Sequence, residues 1–115
     1  MWNPISIPRL APQVASGRLP AERLAADALE RIERADPAIN AFITVLGDRA
    51  LAEARRLDVD LARGRYLGPL HGMPLSVKDL VDVEGVPTTA ASRVRRSHIA
   101  RRDAPAIARL RAAGA

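Results

Sequence analysis

The chain has 115 residues, 48% of them apolar, with a net charge of +5 and a pI near 11.2. That length holds one domain or a piece of one, and burial of roughly 65% of the unfolded chain's surface allows a real core. The absence of cysteine excludes disulfides, thiolate catalysis and Cys-ligated zinc, and His71 and His98 lack metal-ligand spacing. No metal or cofactor is expected. No apolar run approaches the ~20 residues of a membrane span. Met1 to Arg9 carries no basic segment followed by an apolar one, so cytoplasm is the default. The basic charge invites a nucleic-acid reading. Against it, the arginines are interleaved with 13 acids, and Trp2, Phe42 and Tyr66 are the only aromatics to stack on bases. An arginine-rich solvated surface is the preferred reading.

In chain order, residues 1–18 read as a loosely ordered lead-in, loosest over Trp2 to Ser6. Leu10 and Val14 fit one face of a short helix between Pro8 and Ser16, ended by Gly17. Pro20 to Ala35 is a helix with a stripe of Leu24, Ala28 and Ile32 beside Ala25 and Leu29. Glu30 and Arg34 are spaced to pair along it, and Asp36-Pro37 should break it. Ala41 to Leu46 is short, β-branched and bounded by breakers, which predicts a strand buried on both faces. Asp48 to Arg63 is a second long helix, with Asp48 as N-cap, Ala50, Ala54, Leu57 and Leu61 as its stripe, and Gly64 after its end.

Gly68 to Asp82 follows, and it contains Lys78, the single lysine among 18 cationic side chains. Arginine stays protonated in proteins, whereas a buried lysine can lose its proton and act as a base. Met73 to Lys78 predicts a strand, with Met73, Leu75 and Val77 on one face and Pro74, Ser76 and Lys78 on the other. Glu84-Gly85 marks a turn, and Pro87 to Ser92 a loop of small residues. Arg93, Arg95, Arg96, Arg101 and Arg102 read as a solvated surface in preference to a phosphate site. Asp103 should cap a last helix over Ala104 to Ala113, with Gly114 after it. Strands and helices in alternation predict an α/β fold, and a final helix of this kind normally feeds a further strand. The chain therefore reads as the front part of a larger α/β domain.

The residues from Gly68 to Asp79 (Gly-Pro-Leu-His-Gly-Met-Pro-Leu-Ser-Val-Lys-Asp) resemble the first signature block of the amidase signature family. Thr88 to Ser92 resembles the Thr-Thr-Ala-Gly-Ser element that follows it, with Ala91 in place of the glycine, and Asp103 to Ala115 resembles the next helix. Pro20 to Val45 resembles the family's N-terminal helix and its Ile-Asn-Ala-Phe run. The resemblance thus covers nearly everything from Leu19 onward.

It implies a mixed sheet wrapped by helices, and amide hydrolysis or amide transfer through a Ser–cis-Ser–Lys triad. Lys78 matches the triad lysine, the base that takes a proton from the bridging serine. The family's Gly- and Ser-rich block with both serines has no counterpart in these residues. Ser6, Ser16, Ser76, Ser92 and Ser97 lie outside that context, and Ser76 beside Lys78 does not make a triad. The expectation is therefore residues 1–115 as an N-terminal fragment of a single amidase domain, inactive alone, acting on a small-molecule amide once complete. A complementing chain or a homo-oligomer would be its partner, with no membrane and no nucleic acid. The alternatives are the A subunit of a tRNA-dependent amidotransferase and a non-catalytic basic binding or remnant protein. His71 reads as structural.

Overall fold

A computed structural model describes residues 6–115, so the expectation for Trp2 to Ile5 lies outside the described residues. Among the described residues four helices form: α1 (Ile7–Ala15), α2 (Ala21–Ile39), α3 (Gly47–Ala62) and α4 (Pro105–Ala112). The described chain divides into two compact units, one running to Pro74 and including Ala113–Ala115, the other Leu75–Ala112.

In the first unit part of each predicted stripe enters the core: Leu24, Ala25, Ala54, Leu57 and Val14 are buried, while Ala28, Leu29, Ile32, Ala50 and Leu61 are only half-buried. Ala11 and Val14 of α1 pack with Leu24 of α2 and with Met73, and Leu10 and Leu19 flank them. A second cluster joins Ala21 and Ala25 of α2 to Ala54 and Leu57 of α3. Small side chains on α2 let the two helices approach closely. Their pairing is fixed by a long-range cap, in which the two oxygens of Asp58 on α3 accept the N–H groups of Ala21 and Glu22, at 2.7 and 3.0 Å. A carboxylate there satisfies donors that the first turn of a helix leaves open and faces the positive end of its dipole. Arg55 and Glu22 add an ion pair between the same helices, at 2.7 Å.

Several local expectations are corrected. Helix α2 runs past Asp36-Pro37 to Ile39, because a proline one turn from the C-terminus forfeits a single backbone bond. It ends at Asn40, in the left-handed region at φ 50°, whose N–H donates to the Asp36 carbonyl at 2.7 Å. Oδ1 of Asp36 then accepts the N–H groups of Ala41 and Phe42. Asp48 sits inside α3 rather than capping it. On α2 the i,i+4 ion pair is Arg23 with Asp27, not Glu30 with Arg34. Such pairs on an exposed face hold their geometry weakly.

Neither predicted strand forms. Ala41–Leu46 and Met73–Lys78 have no ladder partner among the described residues, and a strand exists only through the N–H and C=O groups of a neighbour. Ile43 and Val45, expected inside, are 71% and 49% exposed. The β pairing among the described residues is one antiparallel bridge, Pro87 to Ile99, in the second unit. Thr88 N–H donates to the His98 carbonyl at 3.0 Å, and Ala100 N–H to that of Val86 at 3.1 Å. Asp103, expected to cap α4, instead accepts the Glu84 N–H at 2.8 Å and pairs with Arg111 at 3.3 Å. No described helix is long and apolar enough to cross a membrane.

Candidate active site

The signature-like block is divided between the two units at Pro74 and Leu75. In the first unit its centre is His71, a fully buried polar side chain. Nδ1 of His71 accepts the Leu67 N–H at 3.2 Å, so Nε2 carries the hydrogen and donates to the Leu57 carbonyl at 3.0 Å. The Tyr66 ring lies 5.5 Å away, centroid to centroid. Both ring nitrogens are thus spent on backbone, which leaves the ring no lone pair or proton for chemistry. Gly72 beside it has φ +75°, and its N–H donates to the Gly114 carbonyl at 2.7 Å. A Cβ on Gly72 would lie 2.5 Å from the Cβ of Ala21, so only glycine fits this junction.

Lys78 lies in the second unit, with its side chain exposed. Its carbonyl accepts the Val81 N–H at 3.0 Å, closing a turn. Among the described residues no hydrogen bond joins its amine to a serine hydroxyl, and Ser76 is exposed beside it. The structure instead brings a different residue to Lys78's segment. Oδ1 of Asp79 accepts the N–H of Thr89 at 2.8 Å, and Oδ2 accepts the Thr89 hydroxyl. The Asp79 carbonyl accepts the Ala90 N–H at 2.9 Å. The second signature-like element is therefore clasped onto the residue after Lys78.

These bonds set the electrostatics of Asp79. The Thr89 hydroxyl holds its carboxyl below the ordinary carboxylate value of 3.8, followed by the Thr89 N–H. Partial burial opposes them, and the Ala91 N–H and the Lys78 charge add smaller lowering effects. The loop that makes this possible is strained, with Ala90 and Ala91 at φ 50° and 54°. That region is rare for residues with a Cβ, and Ala91 stands where the resembling element has glycine. Ala91 N–H to Thr89 Oγ1, at 3.2 Å, and Ser92 N–H to the Thr89 carbonyl, at 2.8 Å, hold the turn.

Sequence reasoning passed over Asp79. The available signal was a carboxylate adjacent to the single lysine, with a Thr-Thr pair ten residues on. A shallow depression elsewhere in this unit is lined by Asp82, Ser97, His98, Ile99, Arg101 and Arg102. Lys78 is not part of its wall. Arg93, Arg95, Arg96, Arg101 and Arg102 are all exposed.

A model of the amidase family matches residues 23–115, a span that contains both the His71 junction and the Asp79–Thr89 clasp. The chain belongs to the amidase family. It is 42% identical over 112 residues to the A subunit of the glutamyl-tRNA(Gln) amidotransferase of Symbiobacterium thermophilum, covering 96% of this chain and 23% of that protein. It is 48% identical over 103 residues to AtzE, the 1-carboxybiuret hydrolase subunit of Pseudomonas sp. strain ADP, covering 89% of this chain and 22% of that one. A solved structure of a vestigial protein complex, described as revealing the origins of an s-triazine catabolic enzyme, superposes with a TM-score of 0.90 at 43% identity. That match covers 96% of this chain and 24% of the solved one. This amidase-family chain thus spans about a quarter of the length of the relatives it matches.

Proposed function

We propose that these residues are the N-terminal, base-bearing portion of an amide-bond hydrolase of the Ser–cis-Ser–Lys type, with Lys78 as the lysine. The family match over residues 23–115, with Lys78 inside a block of matching sequence, is the observation that carries this reading. A serine hydroxyl is a poor nucleophile until a base is within reach. In the complete protein, Lys78 takes the proton of a bridging serine, which takes that of the nucleophilic serine as it attacks the amide carbonyl. The same proton returns to the leaving amine, and water then releases the acyl group. Both serines come from outside these 115 residues. On this reading Ala41–Leu46 and Met73–Lys78 join a mixed sheet in the complete domain, which covers Ile43 and Val45. It works in the cytoplasm on a small-molecule amide.

Replacing Lys78 with arginine in the full-length gene product keeps the charge but removes a proton-accepting amine. Amide hydrolysis should fall by about a thousandfold or more, since the loss removes both base and nucleophile activation. Normal turnover by Lys78→Arg would refute the assignment. The reading frame beyond codon 115 should continue into a Gly- and Ser-rich stretch.

A second reading, the A subunit of a tRNA-dependent amidotransferase, is favoured by the identity to the Symbiobacterium protein. Neighbouring genes for the other subunits of such a complex, and glutamine-dependent amidation of a charged tRNA by the assembled complex, would select it over the free-standing hydrolase.

A further inference from the structure

A carboxylate adjacent to a catalytic lysine poses a problem that the structure resolves. If Asp79 were free, it would pair with the Lys78 ammonium and favour the charged form of the lysine. A base must shed that proton to work. In the structure both oxygens of Asp79 are already bonded to Thr89, one to its N–H and one to its hydroxyl. The Thr89 hydroxyl is fixed in turn, because Oγ1 accepts the Ala91 N–H at 3.2 Å and its own hydrogen is committed to Asp79. The Ala90 N–H on the Asp79 carbonyl locks the backbone of the same residue. Two successive alanines in the left-handed region are held there by these bonds, which marks the loop as constrained rather than incidental. The charged group acting on this carboxylate is Lys78, and its other partners are backbone and hydroxyl donors of the loop.

We propose that Asp79 and Thr89 are positioning residues for Lys78: Thr89 donates to one lone pair on each carboxylate oxygen, so that Asp79 anchors the lysine's backbone to the Thr88–Ser92 loop and its carboxylate competes less well for the ammonium. The proposal rests on the reading of Lys78 as the base. It assigns the hydroxyl of Thr89 a role in pH dependence that a merely structural threonine would not have.

Steady-state amide hydrolysis by the full-length product, measured across pH, tests it with Thr89→Val, Thr89→Ser, Asp79→Asn and Lys78→Arg. Thr89→Val removes the donor that competes with the ammonium for one carboxylate oxygen. It should lower kcat at neutral pH by about tenfold with KM little changed, and move the acid limb of the kcat profile up by roughly one pH unit. Thr89→Ser keeps the hydroxyl and should restore both. Asp79→Asn removes the negative charge, so its limb should stay or move down while kcat falls. An unmoved limb in Thr89→Val, a Thr89→Ser that behaves like it, or an upward shift in Asp79→Asn would each overturn the proposal. If Thr89→Val does not fold by circular dichroism, the serine and asparagine variants decide by the same criteria. An active Lys78→Arg refutes the base reading itself, whereas an inactive one beside an unshifted Thr89→Val refutes only the positioning role.

Discussion

Removing the His71 ring is the sharpest test of how the signature-like block is built. His71→Ala would leave the Leu67 N–H and the Leu57 carbonyl without partners around a side chain that has no solvent exposure. Each stranded backbone group costs about 1–3 kcal/mol, and the emptied volume adds to that, so a loss of about 4 kcal/mol is expected. A whole domain holds only about 5–15 kcal/mol, so the variant should be marginal. His71→Gln offers one acceptor and one donor without the ring's fixed geometry, and should lose about half as much. Urea denaturation followed by far-UV circular dichroism measures both. With a slope of about 1.3 kcal/mol per molar urea, the alanine midpoint should fall by about 3 M. A His71→Ala loss under about 1 kcal/mol would refute the claim that both bonds are made in a dry site. Where the full-length product is active, turnover per folded molecule should be unchanged, because both ring nitrogens serve backbone.

Gly72→Ala should destabilise by about 2–4 kcal/mol in the same assay, from a left-handed φ and overpacking. The new methyl would meet Ala21 at 2.5 Å, at the first residue of α2, so relief requires moving a helix; an unchanged midpoint would contradict this. Asp79 gives a pH test whose sign is fixed. Its carboxyl is held below 3.8 in the folded chain, so the stability it contributes is complete above the unfolded value and is lost as pH falls through the folded one. The midpoint gap between wild type and Asp79→Asn should therefore be constant from neutral pH to about 5, then shrink below about 4. A gap that widens on acidification would show that the Thr89 bonds do not favour the charged form.

Local sequence determined the helices and the resemblance. Leu24, Ala25, Ala54, Leu57 and Val14 sit where their spacing put them, because an apolar stripe at helical period has one way to leave water. Gly17, Gly64 and Gly114 follow helix ends with positive φ, as their positions predicted. Lys78 stood out by composition, since a lone lysine among arginines is visible without a fold. The β expectations did not materialise, because a strand's stability belongs to its neighbour, and Ala41–Leu46 and Met73–Lys78 find none among the described residues.

What the tertiary structure decided is everything that depends on a distant partner. Asp58 caps a helix 37 residues back in sequence, and no spacing rule points from one to the other. His71 is structural because its nitrogens meet the backbone of Leu57 and Leu67, which a buried-versus-exposed guess cannot supply. Asp79 gains its partner only because the fold brings Thr89, ten residues on, to donate to both of its oxygens. Periodicity records which face a side chain takes, but hydrogen bonds at the site depend on which two segments the chain folds together.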